Sequence, residues 1–178
     1  MSLLLEPKSV KLFTSLIYGE GADLNECIES MRELLGEIDY TSCDMPFDYT
    51  KYYEEEMGRG LRRVIITFRD LIRREELAGI KIFTNKLEKV FSYQDKRTIN
   101  IDPGYIAQEH LILATGKGYA HRPYIGKGVY ADLTLIFTKD EFRTLEWTYP
   151  DYGSEDMREL FRKLRYEYMS QLKEVSKR

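Results

Sequence analysis

Cysteine, histidine, tryptophan and the side-chain amides are all scarce in this 178-residue chain. Two cysteines, Cys27 and Cys43, belong to no CxxC pair, so neither a disulfide framework nor a thiolate zinc site is expected. The two histidines, His110 and His121, stand too far apart in sequence to suggest a metal pair, and no metal ligand set is assigned. Long apolar runs are missing too. None approaches the ~18 residues of a membrane-spanning helix, so no membrane partner is expected. The first seven residues are too quickly interrupted by Glu6 and Pro7 for a secretory signal, and the expected location is cytoplasmic. An excess of positive charge is lacking. The net charge of −3 gives no electrostatic reason for sequence-independent nucleic-acid binding. Asn and Gln are few against 27 Lys and Arg and 30 Asp and Glu, a balance typical of thermophilic proteins.

What is present is a globular composition: 43% hydrophobic and 32% charged residues. A chain of this length buries roughly 70% of its unfolded surface, enough for one core without disulfide or metal. Without linker or repeat, residues 1–178 read as a single α+β domain, with a core at 8–105 and an extension at 106–178. "VKLFTSLIY" (10–18) is β-branched and aromatic enough for a central strand. A helix follows from Asp23 to Leu35, with Leu24, Cys27, Ile28, Met31, Leu34 and Leu35 on one face. "EIDYTSCDMPF" is a weaker strand, and "DYTKYYEEEMG" predicts a short helix capped by Asp48 or Thr50. "RRVIITFRD" alternates as a strand, and "IKIFTNKLEKVF" is helical with Ile80, Phe83, Leu87 and Val90 inward. "RTINID" closes the series as a strand.

Strand, helix, strand, strand, helix, strand is the ferredoxin-like split βαβ order, an antiparallel sheet with both helices on one face. The extension adds a β-hairpin, "HLILATG" and "VYADLTLIF", with Tyr130, Asp132 and Thr134 outward in the second strand. A long C-terminal helix follows from Ser154, with Met157, Leu160, Phe161, Leu164, Tyr168 and Leu172 in its apolar stripe.

Several stretches could carry chemistry. "TGKGYAHRPYIGKGVY" (115–130) holds two Gly-Lys-Gly triplets. It is no P-loop, because the spacing is wrong, Gly128 stands where Ser or Thr belongs, and a strand rather than a helix follows. Lys117, Arg122 and Lys127 beside glycine amides could instead cradle an anion, although hairpin glycines with solvated lysines explain the pattern as well. His121, in a turn beside Arg122, is a candidate general acid or base. "NIDPGY" reads as a strand end followed by a Pro-Gly turn, with Asp102 rigidly held as a second candidate catalytic group. "PFDY" and "WTYPDY" each place an acid and a tyrosine after a proline, adding Asp48 and Asp151 as ligand-binding candidates. Six arginines between residues 59 and 74 suit anion recognition or ion-pair networks.

Taken together, "FDYTKYYEEEMG", "NIDPGY", "HRPYIGKGVYADLTLIF" and "WTYPDY" resemble a bacterial and archaeal family of uncharacterised proteins, a domain of unknown function. The resemblance runs from "KLFTSLIYG" to the last helix, and some members of that family carry a GTP-binding label. This chain has no P-loop, and "TNKLEK" has Glu88 where an NKxD motif requires Asp. The expectation is a domain that binds a small anionic or phosphorylated ligand between the 100–105 and 115–128 loops. No cofactor is indicated. The alternative is a non-catalytic interaction module or homodimer, using the tyrosine-rich loops and the arginine-rich strand.

Overall fold

The computed structural model describes residues 3–175. A mixed helical and mainly antiparallel architecture is built on strand β1 (Val10–Tyr18), whose side chains are buried on both faces. Helix α1 (Leu24–Leu35) follows, started by the Asp23 carboxylate, which accepts from the Glu26 N–H at 3.1 Å. The chain then forms β2 (Ile38–Thr41), the two-residue β3 (Met45–Pro46), the one-turn helix α2 (Glu54–Met57) and β4 (Arg62–Ile72). The aromatic helix expected over 48–58 shrinks to that single turn. Thr50 accepts a local bond from the Tyr52 N–H instead of capping, and Tyr53 packs on Phe47 and Tyr52, so ring contacts shape the loop.

Helix α3 (Leu77–Val90) begins three residues earlier than its apolar period suggests, and Val90 at its end is exposed. A small hairpin of β5 (Ser92–Tyr93) and β6 (Lys96–Arg97) leads to β7 (Ile99–Ile106), and β8 (His110–Thr115) returns beside it. Short β9 (Tyr124–Gly126) turns into β10 (Val129–Thr138), and β11 (Glu141–Thr144) is the edge. A single turn, α4 (Pro150–Gly153), precedes the long α5 (Glu155–Val175), where Ser154 Oγ accepts from the Met157 N–H at 3.3 Å.

The strand order is β11-β10-β8-β7-β1-β4-β2, and the neighbouring strands pair antiparallel. Alternation along β1 divides the core. Leu12 and Leu16 meet Cys27 and Met31 of α1 and Ile80 and Leu87 of α3 on one face. Phe13 meets Phe161, Leu164 and Tyr168 of α5 on the other. The polar residues of β10 depart from simple alternation: Asp132 and Thr134, expected outward, are 2% and 0% exposed, with a register shift between Leu133 and Leu135.

The Pro-Gly turn expected after Asp102 is not there, because β7 runs straight through Pro103 and Gly104. Gly104 serves close packing instead. A Cβ at this position would lie 2.3 Å from the Ile112 carbonyl oxygen and 2.6 Å from Phe13 Cζ. Pro103 has the larger consequence. Pairing of β7 with β8 begins at Gly104 and Leu113, whereas β8 continues beside β10 to Thr115. Proline has no N–H to donate to a ladder. From residue 103 back towards Ile99 the two strands part, and the sheet opens between them.

Candidate functional site

The opening in the sheet is one wall of a cleft of about 1310 Å³. Its sides come from the first half of β7 and the end of β8 with the following loop. Helix α3 adds Lys81 and Glu88, the 47–53 loop adds its aromatics, and the start of β4 and α4 add Arg63, Asp151 and Tyr152.

Helix α3 closes the β7 edge that β8 leaves bare. The Ile101 N–H donates to Glu88 Oε1 at 2.7 Å, and Lys81 Nζ donates to the Ile101 carbonyl at 3.1 Å. Buried backbone groups must find partners, and here two side chains replace a missing strand. This is why Lys81 and Glu88 are each only 7% exposed. Lys81 also holds Asp102 Oδ1 at 3.1 Å, while Asn100 donates to Asp102 Oδ2 at 2.7 Å. Arg97 ties this floor to α2 through three bonds to Glu56, one from its backbone N–H and two from its guanidinium, and lies 3.5 Å from Glu88. Burial pushes the Glu88 carboxyl above its ordinary value, against the pull of Lys81. Hydrogen bonds from Arg97 hold Glu56 below its own.

Deeper on the α5 side, Arg63 Nη2 donates to Asp151 Oδ2 at 2.5 Å. The guanidinium lies between the rings of Phe47 and Tyr152, at 4.5 and 5.2 Å from their centroids. Arg63 is 4% exposed, yet its Nε and Nη1 have no hydrogen-bond partner among the described residues. The Tyr53 and Tyr152 hydroxyls are held well above the usual phenol range by burial, so both stay protonated donors.

The mouth is crossed by a chain of contacts. Lys117 Nζ meets the Tyr52 hydroxyl at 3.2 Å, Arg122 Nη1 donates to the Lys117 carbonyl at 3.3 Å, and Arg122 Nη2 donates to the Tyr149 hydroxyl at 2.6 Å. Arg122 is anchored behind them on buried Asp132 at 2.7 Å.

Three of the residues singled out in the sequence, Asp102, Lys117 and Asp151, therefore line one cleft. Arg122 lies behind its wall, in contact with three lining residues. His121 stacks on Trp147 at 4.7 Å with Nε2 3.7 Å from Asp132, outside the lining. Lys127 lies elsewhere. The second Gly-Lys-Gly triplet is the β9–β10 turn, with φ of 103°, 55° and 78°, and Lys127 Nζ lies 3.8 Å from the place a Gly79 Cβ would take in α3. Asp48 lines a separate cavity of about 190 Å³ together with Phe47 and Arg62.

Arg63, Lys81, Glu88 and Arg97 were not picked out in the sequence as site residues. Lys81, Thr84 and Glu88 are buried at helical spacing beside the apolar stripe of α3, and that polar stripe is the signal that marks the face turned to the open strand edge. Among the described residues no cluster of three or more His, Cys, Asp or Glu side chains could hold a metal ion.

An α+β protein with a cleft between separated strands is thus the class that fold and site define. The family described as a domain of unknown function (DUF4416) matches residues 8–168, and the chain belongs to it. No curated protein and no solved structure matches the chain. No helix among the described residues is long and apolar enough to cross a membrane.

Proposed function

We propose that the cleft binds a small ligand through an anionic group, with Arg63 in its depth and Lys117 at its mouth as the cations that attract it. One observation carries this reading. A buried arginine that lines the cleft keeps two nitrogens without partners, an arrangement that costs stability unless something else fills it. Asp102, whose side chain is 32% exposed, is more open than Glu88 or Asp151 and would face the bound molecule as an acceptor or base. Asp151 holds Arg63, and Arg122 holds the mouth, so both position rather than touch. His121 would act only through Asp132.

The test is a thermal-shift and calorimetric screen of phosphate- and carboxylate-bearing compounds on the wild type and on Lys117→Ala. Lys117 is an exposed side chain, so the variant is expected to keep its stability while binding weakens by about tenfold or more. A wild type that no anion stabilises would remove the proposal.

The exposed tyrosines favour a second reading. Tyr52, Tyr119 and Tyr124 are 62%, 71% and 61% exposed, which suits an interface with another chain or a second copy of this one. A concentration-independent monomer mass in solution would count against the second-copy form.

We also infer that residues 8–105 form a ferredoxin-like core, extended by the 106–178 hairpin and helix within one domain. The β7-β1-β4-β2 order and the shared face of α1 and α3 support it.

A further inference from the structure

The buried charges of the cleft neutralise one another. Lys81 is matched by Asp102, Arg63 by Asp151, and Arg97 by Glu88 and Glu56. Asp132 is matched from behind the wall by Arg122. A chain of phosphates entering here would meet as many carboxylates as cations, and like charges brought together in a desolvated site repel. Exposed Lys89 and Asp95 at the rim are in no ion pair among the described residues and offset one another in sign, and two further groups stand out. Arg63 retains unpartnered Nε and Nη1 groups, and Lys117 makes no ion pair among the described residues, resting instead on Tyr52 with Nζ 4.8 Å from the ring centroid.

The uncharged parts of the site are flat. Phe47 and Tyr152 flank the Arg63 guanidinium, and at the mouth Tyr52 and Tyr149 are 62% and 43% exposed. Lys117 lies over one face of Tyr52 and Arg122 over one face of Tyr149, and the aromatic surface that stays exposed suits stacking against a planar ring. The cleft, at about 1310 Å³, is far larger than an inorganic anion needs.

Building on the anion-binding reading above, we infer that the ligand is a planar ring bearing a single anionic group, one phosphate or one carboxylate, and that polyphosphates are disfavoured. Arg63 receives the anionic group in the depth of the cleft, and the ring lies against Tyr52 and Tyr149 at the mouth, where Lys117 adds its attraction for the anion. The paired carboxylates of the floor then face the neutral middle of the molecule as hydrogen-bond acceptors.

The experiment is calorimetric titration of the full chain, at fixed ionic strength, with a set of probes that vary one feature at a time. Adenosine and guanosine monophosphates, the corresponding triphosphates, adenosine, inorganic phosphate and benzoate form the set. A ring-bearing single anion is expected to bind about tenfold or more tighter than the triphosphates, than adenosine and than inorganic phosphate. Comparison of the monophosphates with benzoate identifies which anionic group is preferred. Tyr52→Ala should weaken the ring-bearing probe by a larger factor than inorganic phosphate, which loses only the seat that Tyr52 gives Lys117. Tyr52 is exposed, so that variant is expected to fold.

Triphosphates binding as tightly as monophosphates would overturn this inference and leave the anion reading standing. So would inorganic phosphate binding as tightly as the ring-bearing probes, or Tyr52→Ala without effect on the tightest of them. Failure of every probe to bind would overturn the anion reading itself.

Discussion

At the scale of single residues, two glutamates of the cleft floor respond to their surroundings in opposite directions. Burial raises the Glu88 carboxyl above its ordinary value of 4.5, so the folded state holds that proton more tightly than the unfolded chain does. The stability from this group is fully present below the ordinary value and is lost as pH rises through the raised one. The expected outcome is that Glu88→Gln flattens the decline in stability above about pH 4.5, measured as urea midpoints across a pH series. Glu56 is the mirror case. Arg97 lowers its pKa, so its contribution is present above the ordinary value of 4.5 and is lost as pH falls through the depressed one. Glu56→Gln should therefore destabilise at neutral pH, with the deficit shrinking on acidification. Glu56 is partly exposed, and the effect is correspondingly screened. His110 shows a third environment, with burial first and then Arg74 holding it below its ordinary value, in keeping with a structural place at the start of β8.

At the scale of elements, the decisive event is the parting of β7 from β8. Both its causes and its repair are open to measurement. Gly104→Ala would drive a methyl group into the Ile112 carbonyl and the Phe13 ring. Backbone cannot give way as a side chain can, so we expect a loss of about 1–3 kcal/mol or more in chemical denaturation. The repair by α3 predicts a local effect. The Ile101 amide is protected by a side-chain oxygen of Glu88 rather than by a strand. In Glu88→Ala its hydrogen exchange should accelerate far more than that of Ile106, which lies where β7 pairs with both β1 and β8. Equal acceleration at both sites would mean global destabilisation instead.

At the scale of the whole molecule, helices cover both faces of the sheet, α1 and α3 on one side and α5 on the other, and the cleft passes between the separated strands to draw residues from both sides. Lys81 and Glu88 reach it from one face, and Arg63, Asp151 and Tyr152 from the other. Ion pairs join distant parts of the chain, such as Arg63 with Asp151 and Arg97 with Glu56. With few thermolabile amides, this composition predicts a melting temperature above the ~45–65 °C of mesophilic domains. A calorimetric scan near neutral pH checks it, and melting within that range would refute it.

The sequence by itself determined most elements and their order. β-Branched and aromatic composition marked β1, period-two alternation marked β4, period 3.6 marked α1 and α5, and Asp23 and Ser154 marked two helix starts, because these signals are local. It also placed Asp102, Lys117 and Asp151 among the candidates, since acids and cations beside proline and glycine stand out. Only the tertiary structure decided what surrounds them. Pro103 and Gly104 read locally as a turn, and they become strand because Thr14 and Phe13 of β1 pair with them. Lys81 and Glu88 lie off the apolar stripe of their helix, and they are buried because a strand edge without its neighbour needs a donor and an acceptor. Arg63 is one arginine among six until Asp151, 88 residues away, closes on it. Lys127 and Lys117 sit in identical triplets, and only the β9–β10 turn sends one of them away from the cleft. Partners distant in sequence leave no local periodicity, so the site was assembled by the fold.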